Sequence, residues 1–193
     1  MSINKDVIKK FCELCDWNHQ VWMICLAIEE NSITKNIFRG ECKGFFVRFN
    51  KIMLEYAILQ LVKLHDPPIQ NQKTNLTLKY IVEYGDWDSE TRGQLETLYR
   101  KLEELGGKSG PLKSARNNII SHYDLETVVK EITLGAFDKG KEVEYFQVLQ
   151  EFVNLIHEKS IGGPYPFDDF AKPDTDAFLK ALSSSPRISL IGK

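Results

Sequence analysis

From Ile3 to Cys15 the apolar residues Ile3, Val7, Ile8, Phe11, Leu14 and Cys15 recur at three- and four-residue steps between charged neighbours. That period places one apolar stripe on an α-helix. Val21 to Ile28 continues or follows this helix until Glu29-Glu30-Asn31-Ser32. A second long segment, from about Thr34 to His65, carries Phe45, Phe49, Ile52, Leu54, Ile58, Leu61, Val62 and Leu64. Such a wide apolar face predicts a central bundle helix. Pro67 and Pro68 must end it, because proline lacks an amide donor and restricts the residue before it.

Shorter helices follow. One is expected to begin at Asn75 as its cap and to stop at Gly85. Asp88 or Ser89 opens the next, with Leu95, Leu98, Leu102 and Leu105 on one face. Gly106, Gly107, Gly110 and Pro111 interrupt the chain, and "PLKSARNNIISHY" resumes with proline in the first turn. Asp124 and Thr127 make a partial capping box before "DLETVVKEI". "GAFDKGKE" reads as a loop. "VEYFQVLQEFVNLIHE" is strongly amphipathic, with Phe146, Leu149, Phe152, Val153 and Ile156 inward. "SIGGPYPFDDFAKPD" is irregular, "TDAFLKALSSS" predicts a last short helix, and the end reads as a tail. No alternating strand series and no solenoid period stands out. The pattern predicts an all-α bundle of about six to eight helices. It is expected to occupy residues 1–160, with 161–193 as an irregular segment, short helix and tail.

Composition changes this picture little. At 193 residues, 42% apolar and 27% charged, the chain suits one domain or one domain with an appendage. A formal charge of −2 supplies no global field for nucleic acid or membrane, while leaving room for a local basic patch. The N-terminus lacks a signal-peptide pattern, and no apolar run approaches the roughly 20 residues that span a bilayer. A cytoplasmic protein with reduced thiols and no membrane partner is expected. Cys12 and Cys15 form a C-x-x-C, but on a helical stripe rather than at a strand-to-helix junction. Cys25 and Cys42 do not make the second close pair a zinc site needs. The cysteines therefore read as small apolar core residues. No metal and no cofactor is assigned.

Concentrated chemistry sits in "ARNNIISHYD", residues 115–124. On one straight helix Arg116 and His122 lie about 9 Å apart along the axis and about 120° apart around it. They are poor partners for each other there, but two such helices meeting in a shared cleft would combine them. Asn118 and His122 are one turn apart, and Ile119 and Ile120 would anchor the helix inward. Histidine moves protons near neutral pH, and arginine offers a permanently charged planar fork. Together they fit RNA cleavage by the substrate's own 2′-hydroxyl, a reaction that needs no metal. From Arg100 to Arg116 there are five basic residues against two acidic ones, including Lys108 and Lys113, which suits a phosphate backbone. The bare pattern is equally that of a helix with a capping asparagine and a surface histidine.

In its order of features the chain resembles the HEPN superfamily of helical domains, many of them metal-independent RNases. The signature is an arginine, a polar residue, and a histidine after four to six intervening residues. Here it stands as Arg116-Asn117, four further residues, and His122. The closer likeness is to the abortive-infection, AbiU-like branch. That branch has a long helix ending in an Asp-Pro stretch, as in "LQLVKLHDPP", and an "NLTL"-type segment at Asn75 to Leu78. An acid often stands two positions after the histidine, here Asp124. The resemblance covers roughly residues 40–160. It implies a homodimeric bundle whose two motifs face a composite cleft that cleaves RNA, acting as a toxin or phage-defence effector. Arg116 would stabilise the phosphate, Asn117 would orient it, and His122 would act as general acid or base. Asp124 would support the histidine, Lys108 and Lys113 would hold substrate, and an antitoxin would be a further partner. The alternative it allows is a non-catalytic helical module binding RNA, a nucleotide or a protein. His65, His19 and His157 are expected at a helix end, at the surface or at an interface. Trp17 and Trp22 are expected in the core or at a dimer contact.

Overall fold

The computed structural model describes residues 3–37, 43–107, 112, 137 and 140–184, apart from the side chains of 35–37. Among these residues seven helices and one small hairpin follow in order. They are α1 (Lys5–Glu30), α2 (Ser32–Ile37), α3 (Lys43–Leu64), β1 (Ile69–Gln70), β2 (Lys73–Thr74), α4 (Leu78–Tyr84) and α5 (Ser89–Gly106), then α6 (Lys141–Ser160) and α7 (Ala171–Ser183). The all-α expectation is met. The chain forms two compact units, Met1–Cys15 with Ile58–Pro166, and Asp16–Ala57 with Phe167–Lys193.

The first unit is built on apolar stripes at helical spacing. In α6 the residues Tyr145, Phe146, Val148, Leu149, Phe152, Val153 and Ile156 are all buried. The sequence pattern points to five of them; Tyr145 and Val148 widen the face beyond one stripe. α5 packs along α6, and α4 packs against α5. Phe11 from α1 meets Phe152 edge to face, with ring centroids 6.1 Å apart. Burying each such side chain contributes about 1.5–3 kcal/mol. Leu14, placed on the α1 stripe from its spacing, is 38% exposed, while Cys12 and Cys15 are fully buried. The stripe is narrower at that turn than the period alone implies.

The α4–α5 corner shows how local chemistry sets the helix ends. Thr77, not Asn75, caps α4: its backbone is extended and its hydroxyl accepts from Tyr80 N at 3.2 Å. Asn75 is used elsewhere, its amide donating to Pro68 O (2.8 Å) and its side chain to Pro67 O (2.9 Å). Those bonds tie the chain back to the residues that stopped α3. At the other end, Trp87 Nε1 donates to Ile81 O (2.8 Å), and Arg92 donates to Val82 O and Gly85 O (both 3.0 Å). Val82 O, in the last turn, gains a donor in this way, and Ile81 O, which already accepts from Gly85 N (3.2 Å), gains a second. Gly85 is required here because a Cβ would enter the Trp87 indole. Asp88 then caps α5, accepting from Thr91 N (2.7 Å) and the Thr91 hydroxyl (2.8 Å), as expected for an acid at that position. These bonds hold its carboxyl below its ordinary range, with the Thr91 amide first among the causes.

The hairpin was not foreseen from the sequence, where "DPPIQNQ" reads only as a helix stop. Ile69 pairs with Thr74 and Gln70 with Lys73, antiparallel. The turn residues Asn71 and Gln72 have φ of 50° and 64°. Two left-handed central residues are the requirement of a type I′ turn, whose twist matches that of the strands. Asparagine tolerates this region, whereas glutamine does so at a cost of about 1–2 kcal/mol. Gln72→Gly is therefore expected to raise the stability of the protein by about 1 kcal/mol. Thermal unfolding followed by circular dichroism checks this; an unchanged or lowered midpoint would refute it.

The second unit has its own small core, with Phe46 and Leu179 buried and Ile33 and Leu182 packed on them. Asn31 accepts from Ile33 N (2.9 Å) at the start of α2 and donates to Asp176 on α7 (2.7 Å). Asp16 accepts from Asp168 N at 2.7 Å. α7 begins at Ala171, earlier than the expected threonine start, because Pro173 falls in its first turn, where no intrahelical donor is needed. The expected single segment from about Thr34 to His65 is two helices, α2 and α3. Within α3, Phe45 and Ile52 are 62% and 63% exposed, against the inward face their spacing implies. Phe46 and Ala57 are buried outside that expected face, whereas its later members Ile58, Leu61, Val62 and Leu64 are buried as expected. So many apolar residues occupy this helix that the period does not choose a face.

Candidate functional site

Arg116, Asn117, His122 and Asp124, with Lys108 and Lys113, lie outside the described residues. All of "PLKSARNNIISHY" except Leu112 and all of "DLETVVKEI" lie outside them too, as does Cys42. What the structure shows is the scaffold on either side of that stretch in sequence. Leu112 is fully buried. A Cβ on Gly106 would meet Leu112 Cδ1 at 2.7 Å and Tyr145 Cε2 at 2.8 Å, so glycine at the end of α5 allows this close approach. The Phe137 ring lies 5.2 Å from that of Tyr145. Leu112 and Phe137, which bracket the arginine–histidine motif in sequence, thus both belong to the packing around the start of α6.

Beneath this packing is a buried polar relay in the first unit. His65, the residue after α3, puts Nδ1 2.7 Å from Glu103 Oε1 and Nε2 2.9 Å from Tyr145 Oη. An ionised carboxylate only accepts, so Nδ1 donates to Glu103, and with the imidazole neutral Nε2 is left to accept from the tyrosine hydroxyl. Burial pushes the Tyr145 hydroxyl well above its ordinary range, which keeps it protonated. The Tyr99 hydroxyl is pushed up to about 12, by burial first and then by the Glu103 carboxylate beside it, to which it is hydrogen-bonded. Sequence reasoning placed His65 at a helix end and did not find its partners. They stand 38 and 80 residues away, so no local signal could have found them.

The other described histidines are also engaged. His157 Nδ1 donates to Gly163 O at 2.8 Å, holding the turn in which Gly162 and Gly163 have φ of 110° and 73°. His19 stacks on Phe167 with ring centroids 5.2 Å apart. Burial lowers its pKa against the opposing pull of Asp169, Asp16 and Asp168. Trp22 is buried, while Trp17 is 48% exposed and donates to Tyr56 Oη at 3.1 Å.

Among the described residues no group of three or more His, Cys, Asp or Glu is placed to hold a metal ion. Cys12, Cys15 and Cys25 are buried and outside any disulfide, in agreement with the core role expected for them. Burial pushes Cys12 up to about 12 and Cys25 up to about 11. Thiolate is the reactive form, so both should resist iodoacetamide at pH 8 in the native protein and react once it is unfolded. Residue-resolved mass spectrometry reads this directly, and rapid native labelling of Cys12 would contradict the packing.

Among the described residues no helix is long and apolar enough to cross a membrane. No curated protein and no solved structure matches the chain. The AbiU2 model of the HEPN class matches residues 5–180, which takes in every described helix except the last few residues of α7 and includes the Arg116–His122 stretch. On that match the chain belongs to the HEPN AbiU2 family.

Proposed function

We propose that this protein is a metal-independent endoribonuclease that acts as a toxin or phage-defence effector. The observation that carries the reading is the family match over residues 5–180, inside which stands Arg116-Asn117 with His122 after four more residues. In the proposed reaction the 2′-hydroxyl oxygen attacks the adjacent phosphorus and the bond to the 5′-oxygen breaks. A 2′,3′-cyclic phosphate and a 5′-hydroxyl result. His122 takes the 2′ proton as general base, and a histidine at the same cleft returns a proton to the leaving oxygen. Arg116 meets the negative charge that grows on the phosphoryl oxygens, Asn117 orients them, and Asp124 steadies the imidazole. Lys108 and Lys113 hold the flanking backbone.

One motif supplies one histidine and one arginine, whereas the reaction uses a base and an acid. A homodimer whose two motifs share a cleft meets that need, and an antitoxin that covers the cleft would restrain it. The described part of the chain supports the reading indirectly. Both nitrogens of His65 are committed within the core, and Nδ1 of His157 is committed to a turn. The test is incubation of the purified protein with total RNA and tRNA in EDTA, beside Arg116→Ala and His122→Ala of verified helix content. Cleavage lost in both folded variants supports the proposal. Cleavage that survives both removes the site from this stretch, and no cleavage by the unaltered protein favours a binding module.

A further inference from the structure

The second unit contains a groove of about 370 Å³ formed by the second part of α1, the first part of α3 and α7. Its walls are aromatic, with Phe46 and Phe49 from α3 and Phe170 and Phe178 at α7; Asp168 and Asp174 also line it, and among the described residues no lysine or arginine does. Phe170 and Phe178 are 73% and 56% exposed. The aromatic surface does not stop at the groove, because Phe45, 62% exposed, stacks on Phe49 at 5.9 Å. Large exposed aromatics clustered in this way mark a surface that another molecule covers.

We infer that this groove docks a basic amphipathic helix of a partner protein, whose apolar stripe lies on Phe49, Phe170 and Phe178 above buried Phe46 and whose lysines or arginines meet Asp168 and Asp174. Three observations select that occupant. Continuation of the aromatic surface beyond the groove, through Phe45, exceeds what a small ligand would bury and suits the spaced anchors of a helix. Both charged side chains among the described lining residues are carboxylates, so a complementary partner is positive. A second copy presenting the same face would set those carboxylates against their own kind, which disfavours self-pairing. Asp168 is held in place, accepting from Phe170 N at 2.7 Å, so its charge is fixed beside the aromatic rim.

The test uses the full chain and two fluorescent model helices, one of leucine and lysine and one of leucine and glutamate with the same leucine spacing. Anisotropy titrations should show the lysine helix binding at least tenfold more tightly than the glutamate helix. Phe178→Gln and Phe170→Gln, both at exposed positions, should each weaken it about tenfold without lowering the unfolding temperature. Asp174→Asn should weaken it less and reduce its salt dependence. Equal binding of both helices, no binding of either, or lysine-helix binding unaffected by these variants would overturn the inference. So would a dimer of the unaltered protein that Phe178→Gln converts to monomer, because the face would then pair with itself.

Discussion

His122→Ala is expected to lower metal-independent RNA cleavage by about 10²–10⁴-fold, the range that a positioned acid or base contributes. Arg116→Ala is expected to lower it by about 10²–10³-fold, because it removes a fixed charge from the phosphoryl oxygens as negative charge grows there. The two losses should not add. Residues that act as one unit in a transition state give a double variant little worse than the poorer single one. Arg116→Lys separates charge from geometry. An ammonium keeps the charge but loses the two-pronged fork, so partial recovery is expected rather than full activity. Products bearing a 2′,3′-cyclic phosphate would identify the 2′-hydroxyl as nucleophile. A cleavage rate that depends on added divalent metal, or products with a 5′-phosphate, would sink the mechanism even if the two residues mattered.

The second large effect is on stability. His65→Ala is expected to destabilise the protein by about 3 kcal/mol, combining lost packing with an unpaired hydroxyl on fully buried Tyr145. Glu103 suffers less, since its side chain keeps 20% exposure and can turn to water. For a chain of this size the midpoint of thermal unfolding should fall by about 6–12 °C. Tyr145→Phe removes one donor and keeps the ring, so its cost should be nearer 1–2 kcal/mol. Below its lowered melting temperature the His65→Ala protein should retain the RNA-cleaving activity proposed for the Arg116–His122 motif. Unchanged stability would refute the buried relay as drawn. Loss of cleavage at full stability would instead give His65 a part in the chemistry.

These two experiments divide the histidines by environment. His65 is a core residue by its 7% exposure and two short hydrogen bonds, and nothing in its sequence surroundings says so. "KLHDPP" announces a helix end correctly, because proline chemistry is local. It is silent on Glu103 and Tyr145, because contacts made through tertiary packing leave no periodic trace. The same division runs through the helix ends. The start of α5 was legible at Asp88 or Ser89, since a capping residue before a helical run is a local signal, and the structure selects Asp88. The Trp87 and Arg92 side chains that finish α4 were not, because they arrive from beyond the turn.

By itself, the order of apolar and polar residues determined that the chain is helical, where α5 begins and where α3 ends. It also determined that the N-terminal cysteines sit in the core. The helical period and the backbone chemistry of proline and capping residues act within a few positions, so they are written locally. The likeness to the HEPN class was legible because a long order of features carries it. Only the tertiary structure decided which side of α3 is inward, exposing Phe45 and Ile52 and burying Phe46. Tertiary packing also joined His65 to Glu103 and Tyr145, and gathered Phe46, Phe49, Phe170 and Phe178 around one acidic groove. The physical reason is the same in each case. Burial is decided by neighbours that are distant in sequence, and a residue's own spacing states only that some face will be covered, not by what.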